Sequence, residues 1–408
     1  HESSDAYRTI SRPYLDLRTF AEIFSAKISA KLIIADTLLR FETIGRQAED
    51  NLQPMYPLSY RLDFGGDIEM CGLEKTLEKK FIMLSKNTLA EIIDNSEKGK
   101  NTFIFSLRKG LATITVCKDC ASPVLCNLCG SPVVLYTSRN EKKRMLFCSR
   151  CKNELDADTS CKTCGSWNLL GLGIGTDTVY EYLKENLPNK KTKILKLDKE
   201  SAQSAKGAKD IVDEFEKNPG SILIGTEMAF FYMEQKSDLS VIASFDSLWS
   251  IPNFKISEKI VQIIINLLEK TEKKLIIQTK NYNDEALLSM KNGNLISFVR
   301  NELADREKLG YPPYMRFIKI TYWGNKADTL KIKDFLKSFF QAYNPDVFSG
   351  FHPKEKEKYV THALLRVNPN DWSREEISLK GKIDEKLAKK LRSLGGEFLV
   401  SVDPEDLL

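Results

Sequence analysis

The sequence predicts an α/β fold: a parallel sheet with helices on both faces, interrupted by a cysteine-rich module and followed by a separate α+β domain. Three observations carry this. Short apolar runs alternate with helical stretches on both sides of a cysteine cluster, and strands separated by helices imply parallel pairing. Eight of the nine cysteines fall in four CxxC pairs between Cys117 and Cys164. From Phe298 the pattern changes to a charged helix, a Gly-Tyr-Pro-Pro turn and more strands.

Each element has its own signal. Ser85 is placed to cap a helix with Leu89, Ile92 and Ile93 on one face, ending at Gly99, and Thr102–Phe105 reads as a buried strand. After the cysteines, a helix from Asp177 turns Val179, Tyr180 and Leu183 inward and halts before Pro188. Strand Ile194–Leu197, helix Gly207–Glu216, strand Ile222–Ile224, strand Val241–Phe245, helix Ser257–Lys270 and strand Leu275–Gln278 follow. The last part gives helix Asn301–Leu309, the turn Gly310–Pro313, strand Phe317–Tyr322 and a helix from Ala327.

Composition sets the bounds. A chain of 408 residues exceeds the usual single core, so two to four units are expected. With 42% hydrophobic and 29% charged residues and no long single-sign block, it belongs with folded rather than disordered chains. No run of about twenty apolar residues is present to cross a bilayer, and no signal architecture opens the chain, so a cytoplasmic location and no membrane partner are expected. The net charge of +5 points only weakly to anionic partners. The first residue is His1 rather than Met, so the chain reads as the tail of a longer protein.

The four pairs are Cys117/Cys120, Cys126/Cys129, Cys148/Cys151 and Cys161/Cys164; Cys71 stands apart as a small buried or half-buried apolar residue. A CxxC turn supplies two corners of a tetrahedron, and two turns complete a four-thiolate site with no position left for water. Two structural zinc ions are expected. The histidines His1, His352 and His362 lie far from the cluster in sequence, which argues against mixed sites. Disulfides and redox pairs fit less well, because a thioredoxin-like motif needs one CxxC beside a βαβ unit, and iron–sulfur is the remaining alternative. A nested pairing joins Cys117, Cys120, Cys161 and Cys164 in one site and Cys126, Cys129, Cys148 and Cys151 in the other. The short hairpin Val133–Phe147 between the inner pairs favours it over other pairings, since β-rich arms closed by two knuckles make a zinc ribbon. Trp167, just after Cys164, is read as packing between ribbon and sheet domain rather than stacking on a base.

Gly171-Leu-Gly173-Ile-Gly175 invites a nucleotide-loop reading, but it lacks the full GxGxxG spacing and no obvious strand precedes it. No GxxxxGK[ST] occurs anywhere in the 408 residues.

Together these pieces resemble the C-terminal portion of the PriA family of primosomal replication-restart helicases, superfamily 2 DNA helicases. His1-Glu-Ser-Ser-Asp-Ala-Tyr-Arg8 and Arg12-Pro-Tyr14 look like the remainder of the family's DEEH and PRY segments. Leu84-Ser85 through Phe103–Gly110 is similar to the stretch ending in its LLFLNRRG motif, directly before eight cysteines of the same order and spacing. Gly173–Thr176, Leu195–Asp198 and Ile222–Met228 match its GxGT, RMD and DILIGTQM landmarks. Glu302 to Pro313 matches ExxxRxxxxYPP, and Val402-Asp403-Pro404 matches the closing DVDP.

The resemblance implies the end of a first helicase lobe at 1–50, a linker at 51–83 and a second, RecA-like lobe at 84–116 and 169–297. It implies a double zinc module with the nested pairing at 117–168, and an α+β domain at 298–408. It implies forked or single-stranded DNA and primosome or single-strand-binding proteins as partners, and ATP with Mg²⁺ as cofactors. The second-lobe machinery is eroded here. After Gly225 and Thr226 the family's KG and DF positions fall on Phe231–Glu234. Its arginine-finger motif QVAGRAGR aligns with Asn266–Lys273, leaving Lys270 and Lys273 at the arginine positions and glutamates at both glycines; lysine does not reproduce arginine's planar fork. The SATP motif reads Ala35-Asp-Thr-Leu38. An impaired or lost ATPase is therefore expected, with an active ATP-dependent 3′→5′ helicase as one alternative and a zinc-ribbon RNA-binding or translation-associated protein as another. Lys270 and Lys273 themselves read as a solvated helix end. Arg108, Lys109, Lys142, Lys143 and Arg144 are the candidate contacts to DNA phosphate.

Overall fold

The computed structural model describes residues 2–9, 15–47, 52–55, 65–72, 83–106, 114–117, 119–120, 124–127, 133–137, 144–147, 154–156, 160–172, 175–198, 201–250, 253–350, 359–372 and 383–407. The chain divides into two compact units, one formed by His1–Tyr60, Asn253–Glu258 and Leu295–Leu408, the other by Arg61–Pro252 and Lys259–Asn294.

The first unit opens with helices α1 (Leu17–Lys27) and α2 (Phe41–Gln47). Asp16 caps α1 by accepting the Arg18 N–H at 3.0 Å, which satisfies one of the helix's orphan donors.

In the second unit, β1 (Asp67–Cys71), α3 (Lys86–Glu97) and β2 (Thr102–Phe105) precede the cysteine-rich insertion. That insertion holds β3 (Ile114–Cys117), β4 (Val134–Thr137), β5 (Arg144–Phe147), β6 (Glu154–Asp156) and β7 (Leu169–Leu172). The α/β pattern then resumes with α4 (Thr176–Asn186), β8 (Ile194–Leu197), α5 (Ala205–Lys217), β9 (Ile222–Gly225), α6 (Ala229–Tyr232), β10 (Ser237–Ile242), α7 (Ile256–Glu269, whose first three residues belong to the first unit), β11 (Thr271–Gln278) and α8 (Glu285–Lys291). Six strands pair in the order β1-β11-β10-β2-β9-β8, every pair parallel. The expected parallel α/β core is present.

The central stretches of the inner strands are apolar because they are buried. Ile104, Ile222, Ile224, Val241 and Ile276 pack with Ile92 of α3 and with Val179 and Leu183 of α4. Each such side chain contributes roughly 1.5–3 kcal/mol on burial. Ser85 caps α3 as expected, accepting the Thr88 N–H at 3.0 Å. Its own N–H donates to Gln278 Oε1 at 2.6 Å, while Gln278 Nε2 donates to Ala243 O at 2.7 Å and Met83 O at 3.0 Å, so a buried amide ties α3 to the sheet with its donors used.

Several elements differ from expectation. β1, from the stretch read as a linker, is an edge strand pairing Ile68 with Leu275 and Met70 with Ile277. β10 begins at Ser237 rather than Val241. Polar residues hid its start: Ser237 and Ser240 are buried, their hydroxyls 3.1 Å apart, and Thr271 donates to Ser240 Oγ at 2.7 Å. β11 likewise starts at Thr271, before the apolar run. A strand, β7, does precede Gly175, the N-cap of α4, but it pairs antiparallel with β3 and is not part of the parallel sheet. Among the described residues, the arrangement a dinucleotide loop requires is absent there.

The first unit is completed by α9 (Ile296–Leu309), β12 (Arg316–Gly324), α10 (Lys326–Phe339), β13 (Asp346–Gly350), β14 (Tyr359–Val367), α11 (Glu385–Arg392) and β15 (Phe398–Val402). The strands form an antiparallel sheet ordered β13-β14-β12-β15, so β12 to β15 trace a β-α-β-β-α-β motif. Ile318, Ile320, Ala363 and Leu365 pack against Leu336 and Phe340 of α10 and Leu387 of α11. This is the expected α+β arrangement.

The same unit contains a buried network of charges. Arg306 of α9, 1% exposed, donates to Glu302 at 3.0 Å and to Glu258 at 2.9 Å, and its guanidinium lies 5.1 Å from the Phe41 ring centroid. Glu42 is ion-paired with Arg40 and Lys255, and Glu405 takes Arg40 at 2.9 Å and Lys255 at 2.7 Å. Burial pushes the Glu42 carboxyl up, but the surrounding Arg40, Lys255 and Arg306 charges hold it well below the usual range. Glu258 goes the other way, raised by burial and by Glu42 beside it.

Candidate functional site

Strands β3 and β7 form an antiparallel stem, with Cys117 opposite Leu169, on which the cysteine module is mounted. Within it, β4, β5 and β6 make a three-stranded antiparallel sheet. The stem brings the first and last CxxC turns together. The sulfur atoms of Cys117, Cys120, Cys161 and Cys164 all lie within 4.8 Å of one another. Cys117 Sγ is 3.5 Å from Cys164 Sγ, and Cys120 Sγ is 3.5 Å from Cys161 Sγ. A tetrahedron with metal–sulfur bonds of about 2.3 Å has edges of about 3.8 Å, so little adjustment is needed to seat an ion.

Among the described residues the donor set is chemically uniform, four thiols without carboxylate or imidazole, which suits a soft or borderline cation such as zinc. Cys117 and Cys161 are buried, Cys120 is half-buried and Cys164 is exposed. The Ser166 backbone N–H pulls the Cys164 thiol down, but the thiols of Cys120 and Cys117, with burial and Cys161 behind them, push it up to about 12. Crowded thiols keep their protons, and a bound cation is what would make the thiolates tenable.

The last turn is shaped by its backbone. Gly165 has φ +73°, a left-handed conformation that costs a side-chain-bearing residue roughly 1 kcal/mol, and its N–H donates to Cys161 O at 2.7 Å. Asp119, on the first turn, reaches across. One carboxylate oxygen accepts from the Ser166 hydroxyl, and the other accepts from Asn168 Nδ2 at 3.2 Å. Trp167, between those two clamped residues, is 66% exposed. This corrects the expectation that it packs against the sheet domain: its neighbours in sequence turn to Asp119 and leave the ring in solvent.

Of the inner cysteines, Cys126 is buried beside Cys117 and Cys161, with Val124, Val133, Leu146 and Leu169 in the same cluster. Cys129, Cys148 and Cys151 lie outside the described residues, as do Arg108, Lys109, Lys142 and Lys143. Arg144 is the first residue of β5, paired with Thr137.

A second assembly lies at the carboxyl-terminal edge of the parallel sheet, where ligands gather in open α/β sheets. Thr176, first residue of α4, donates its hydroxyl to Asp198 at the end of β8. Thr226, after β9, donates its N–H to Leu197 O at 3.3 Å. Three of the recognised landmarks therefore meet here. Burial pushes the Asp198 carboxyl up, but hydrogen bonds from the Thr176 hydroxyl and from Ser201 hold it below the ordinary range. Gly225 sits at a close approach, since a Cβ there would come 3.0 Å from both the Phe103 ring and Ala229 Cβ.

Lys270 and Lys273 are not part of this assembly. They lie at the opposite, amino-terminal edge, where Lys270 is the single residue joining α7 to β11. Lys270 Nζ donates to Met233 O at 2.6 Å, and Lys273 pairs with Asp238 at 3.1 Å near the start of β10. Lys270 thus closes a helix end, whereas Lys273 is a strand residue. Sequence reasoning missed the buried charges around Glu42; the ExxxRxxxxYPP match marked Arg306 and its helix partner Glu302 but not Glu42 or Glu258.

An α/β protein that carries a four-cysteine centre on a stem inserted into its parallel-sheet unit is the class that fold and site define. At the level of particular proteins, the chain is similar to replication restart protein PriA. It is 25% identical to that of Thermotoga maritima over 416 aligned residues, which take in 100% of this chain and 53% of the relative. It is 28% identical to PriA of Chlamydia trachomatis over 349 residues, 81% of this chain and 44% of the relative. With PriA of Bacillus subtilis it shares 24% over 331 residues, 79% and 40% of the two chains. The chain spans about half the length of these relatives. No protein-family profile matches it. The resemblance drawn from the motifs is borne out at the scale of the whole chain. Among the described residues, no helix is long and apolar enough to cross a membrane.

Proposed function

We propose that the chain is a PriA-like, zinc-containing protein of replication restart that binds forked or single-stranded DNA and primosome or single-strand-binding partners, with ATP hydrolysis impaired or lost. The observation that carries this reading is a likeness to PriA extending over 100% of the chain. In this reading 84–116 and 169–297 form a second RecA-like helicase lobe, extended by β1, and 117–168 form a zinc-ribbon module. Residues 298–408 form an α+β domain, and 1–50 close a first lobe. Cys117, Cys120, Cys161 and Cys164 hold one structural zinc ion and Cys126, Cys129, Cys148 and Cys151 a second. Arg108, Lys109, Lys142, Lys143 and Arg144 supply phosphate contacts.

The placement of Lys270 and Lys273 supports lost hydrolysis. A residue that neutralises a transferring phosphoryl group must reach the nucleotide, and these two lysines stand at the far edge of the sheet from Thr176, Asp198 and Thr226.

The test is binding of labelled forked and single-stranded DNA across a salt series, with metal content measured on the same preparations. Two zinc ions per chain are expected, with one lost in Cys117→Ser/Cys161→Ser, and an affinity that falls steeply with salt because phosphate contacts release counterions. Absence of DNA binding at low salt, or iron in place of zinc, would sink the reading.

A further inference from the structure

We infer that Trp167 is a stacking platform for an unpaired nucleobase, held in position by the four-cysteine centre. Its exposure alone would carry nothing, since isolated surface aromatics are ordinary. What distinguishes it is how the loop is held. Asp119, from the turn between Cys117 and Cys120, takes Ser166 with one carboxylate oxygen and Asn168 with the other. The backbone is fixed on both sides as well: Cys161 N–H donates to Ser166 O at 2.8 Å, Leu169 N–H to Trp167 O at 2.8 Å and Asn168 N–H to Ser166 Oγ at 3.0 Å. The two cysteine turns that would share one ion therefore clamp the residues before and after Trp167, and the ring between them is left 66% exposed.

The backbone that carries the ring is held before anything binds, so little backbone ordering entropy is lost when a flat partner arrives. The surroundings favour a base over a protein pocket. Tryptophans that anchor protein interfaces sit within well-packed, desolvated surroundings. Here the exposed neighbours in sequence are Lys162, Thr163, Cys164, Gly165 and Asn168, a polar setting with one cation, and the nearby Asp119 carboxylate is taken up by Ser166 and Asn168. An aromatic face beside a cation is the combination by which proteins hold single strands, the ring taking the base and the cation the phosphate.

This role presupposes the DNA-binding reading above. The experiment measures, for the full metal-loaded chain and its variants, the affinity for a labelled oligo-dT strand and for an abasic strand of equal length. Trp167→Ala is expected to weaken oligo-dT binding about tenfold, the scale of one lost base–aromatic stack. It should leave abasic-strand binding and zinc content unchanged, while Trp167→Phe retains most of the affinity. Oligo-dT affinity that survives Trp167→Ala, or falls equally on the abasic strand, overturns the stacking role while leaving DNA binding intact. Failure of the unaltered chain to bind either strand removes the functional reading and Trp167's role with it.

Discussion

Arg306 shows how much a single side chain can hold. Almost fully buried, it serves Glu302 from its own helix and Glu258 from α7, with Glu42 of α2 3.9 Å away. Removing one member of such a set leaves uncompensated charge in a low-dielectric interior, at a cost of about 3–5 kcal/mol. Arg306→Ala is therefore expected to lower the urea midpoint of unfolding by that equivalent, while Lys308→Ala, whose pair with Asp305 is exposed, stays within about 0.5 kcal/mol. Equal effects from the two variants would show that the buried set is not what stabilises the unit. Asp16 gives a pH signature. Burial pushes its carboxyl up, but hydrogen bonding and charge from Arg18, with Arg8 beyond, bring it down to about 2 from an ordinary 3.8. Because the folded value is the lower one, its stabilisation is complete above pH 4 and is lost as pH falls toward 2. In acid titrations followed by circular dichroism, the unaltered chain should lose more stability across that window than Asp16→Asn; parallel curves would contradict the assignment.

At the scale of elements, what the sequence made legible was set by burial. β2 and β9 are almost wholly apolar and buried, β8 is apolar but for Lys196, and the expected bounds of all three agree with the structure to within a residue. β1 was illegible because an edge strand mixes acids with apolar residues, and Asp67-Ile-Glu-Met-Cys71 has no fully buried position. β10 concealed its start behind serines whose hydroxyls satisfy one another inside the core. The cysteine centre was visible from spacing, since CxxC fixes two ligands locally. Which turn meets which depends on the β3–β7 pairing, on which spacing says nothing by itself. The exposed face of Trp167 was invisible for a related reason: it depends on Asp119, a residue that belongs to the other cysteine turn.

For the whole molecule, the separation of Lys270 and Lys273 from Thr226 sharpens the expectation about ATP. DNA-stimulated hydrolysis should be absent or very weak even when the chain is joined to a complete first lobe, because a missing arginine finger costs on the order of 10³–10⁵ in rate. Restoring arginine at Lys270 and Lys273 and glycine at Glu269 and Glu272 should not recover it, since those side chains start at the edge of the sheet opposite Thr176, Asp198 and Thr226. Robust steady-state turnover by the unaltered chain, abolished by Lys270→Ala/Lys273→Ala, would show that the lysines reach the nucleotide after all. The α/β class and the α+β unit were legible from pattern and the Glu302–Arg306 pair from a motif, but Glu42 and Glu258 from neither, because they reach Arg306 only when distant segments fold.

The stem on which the cysteine module is mounted also makes that module a detachable cassette. Cys117 and Leu169 face each other across an antiparallel pair, so the polypeptide leaves and re-enters at adjacent points, and a two-residue turn could bridge them. A chain shortened in this way, with 118–168 replaced by Asn-Gly, should keep the far-ultraviolet signature of its parallel sheet and bind no zinc. Collapse of the sheet in the shortened chain would mean that the cassette is part of the core it interrupts. If the sheet survives, lineages could gain, lose or exchange the metal-bearing segment without rebuilding the domain that hosts it.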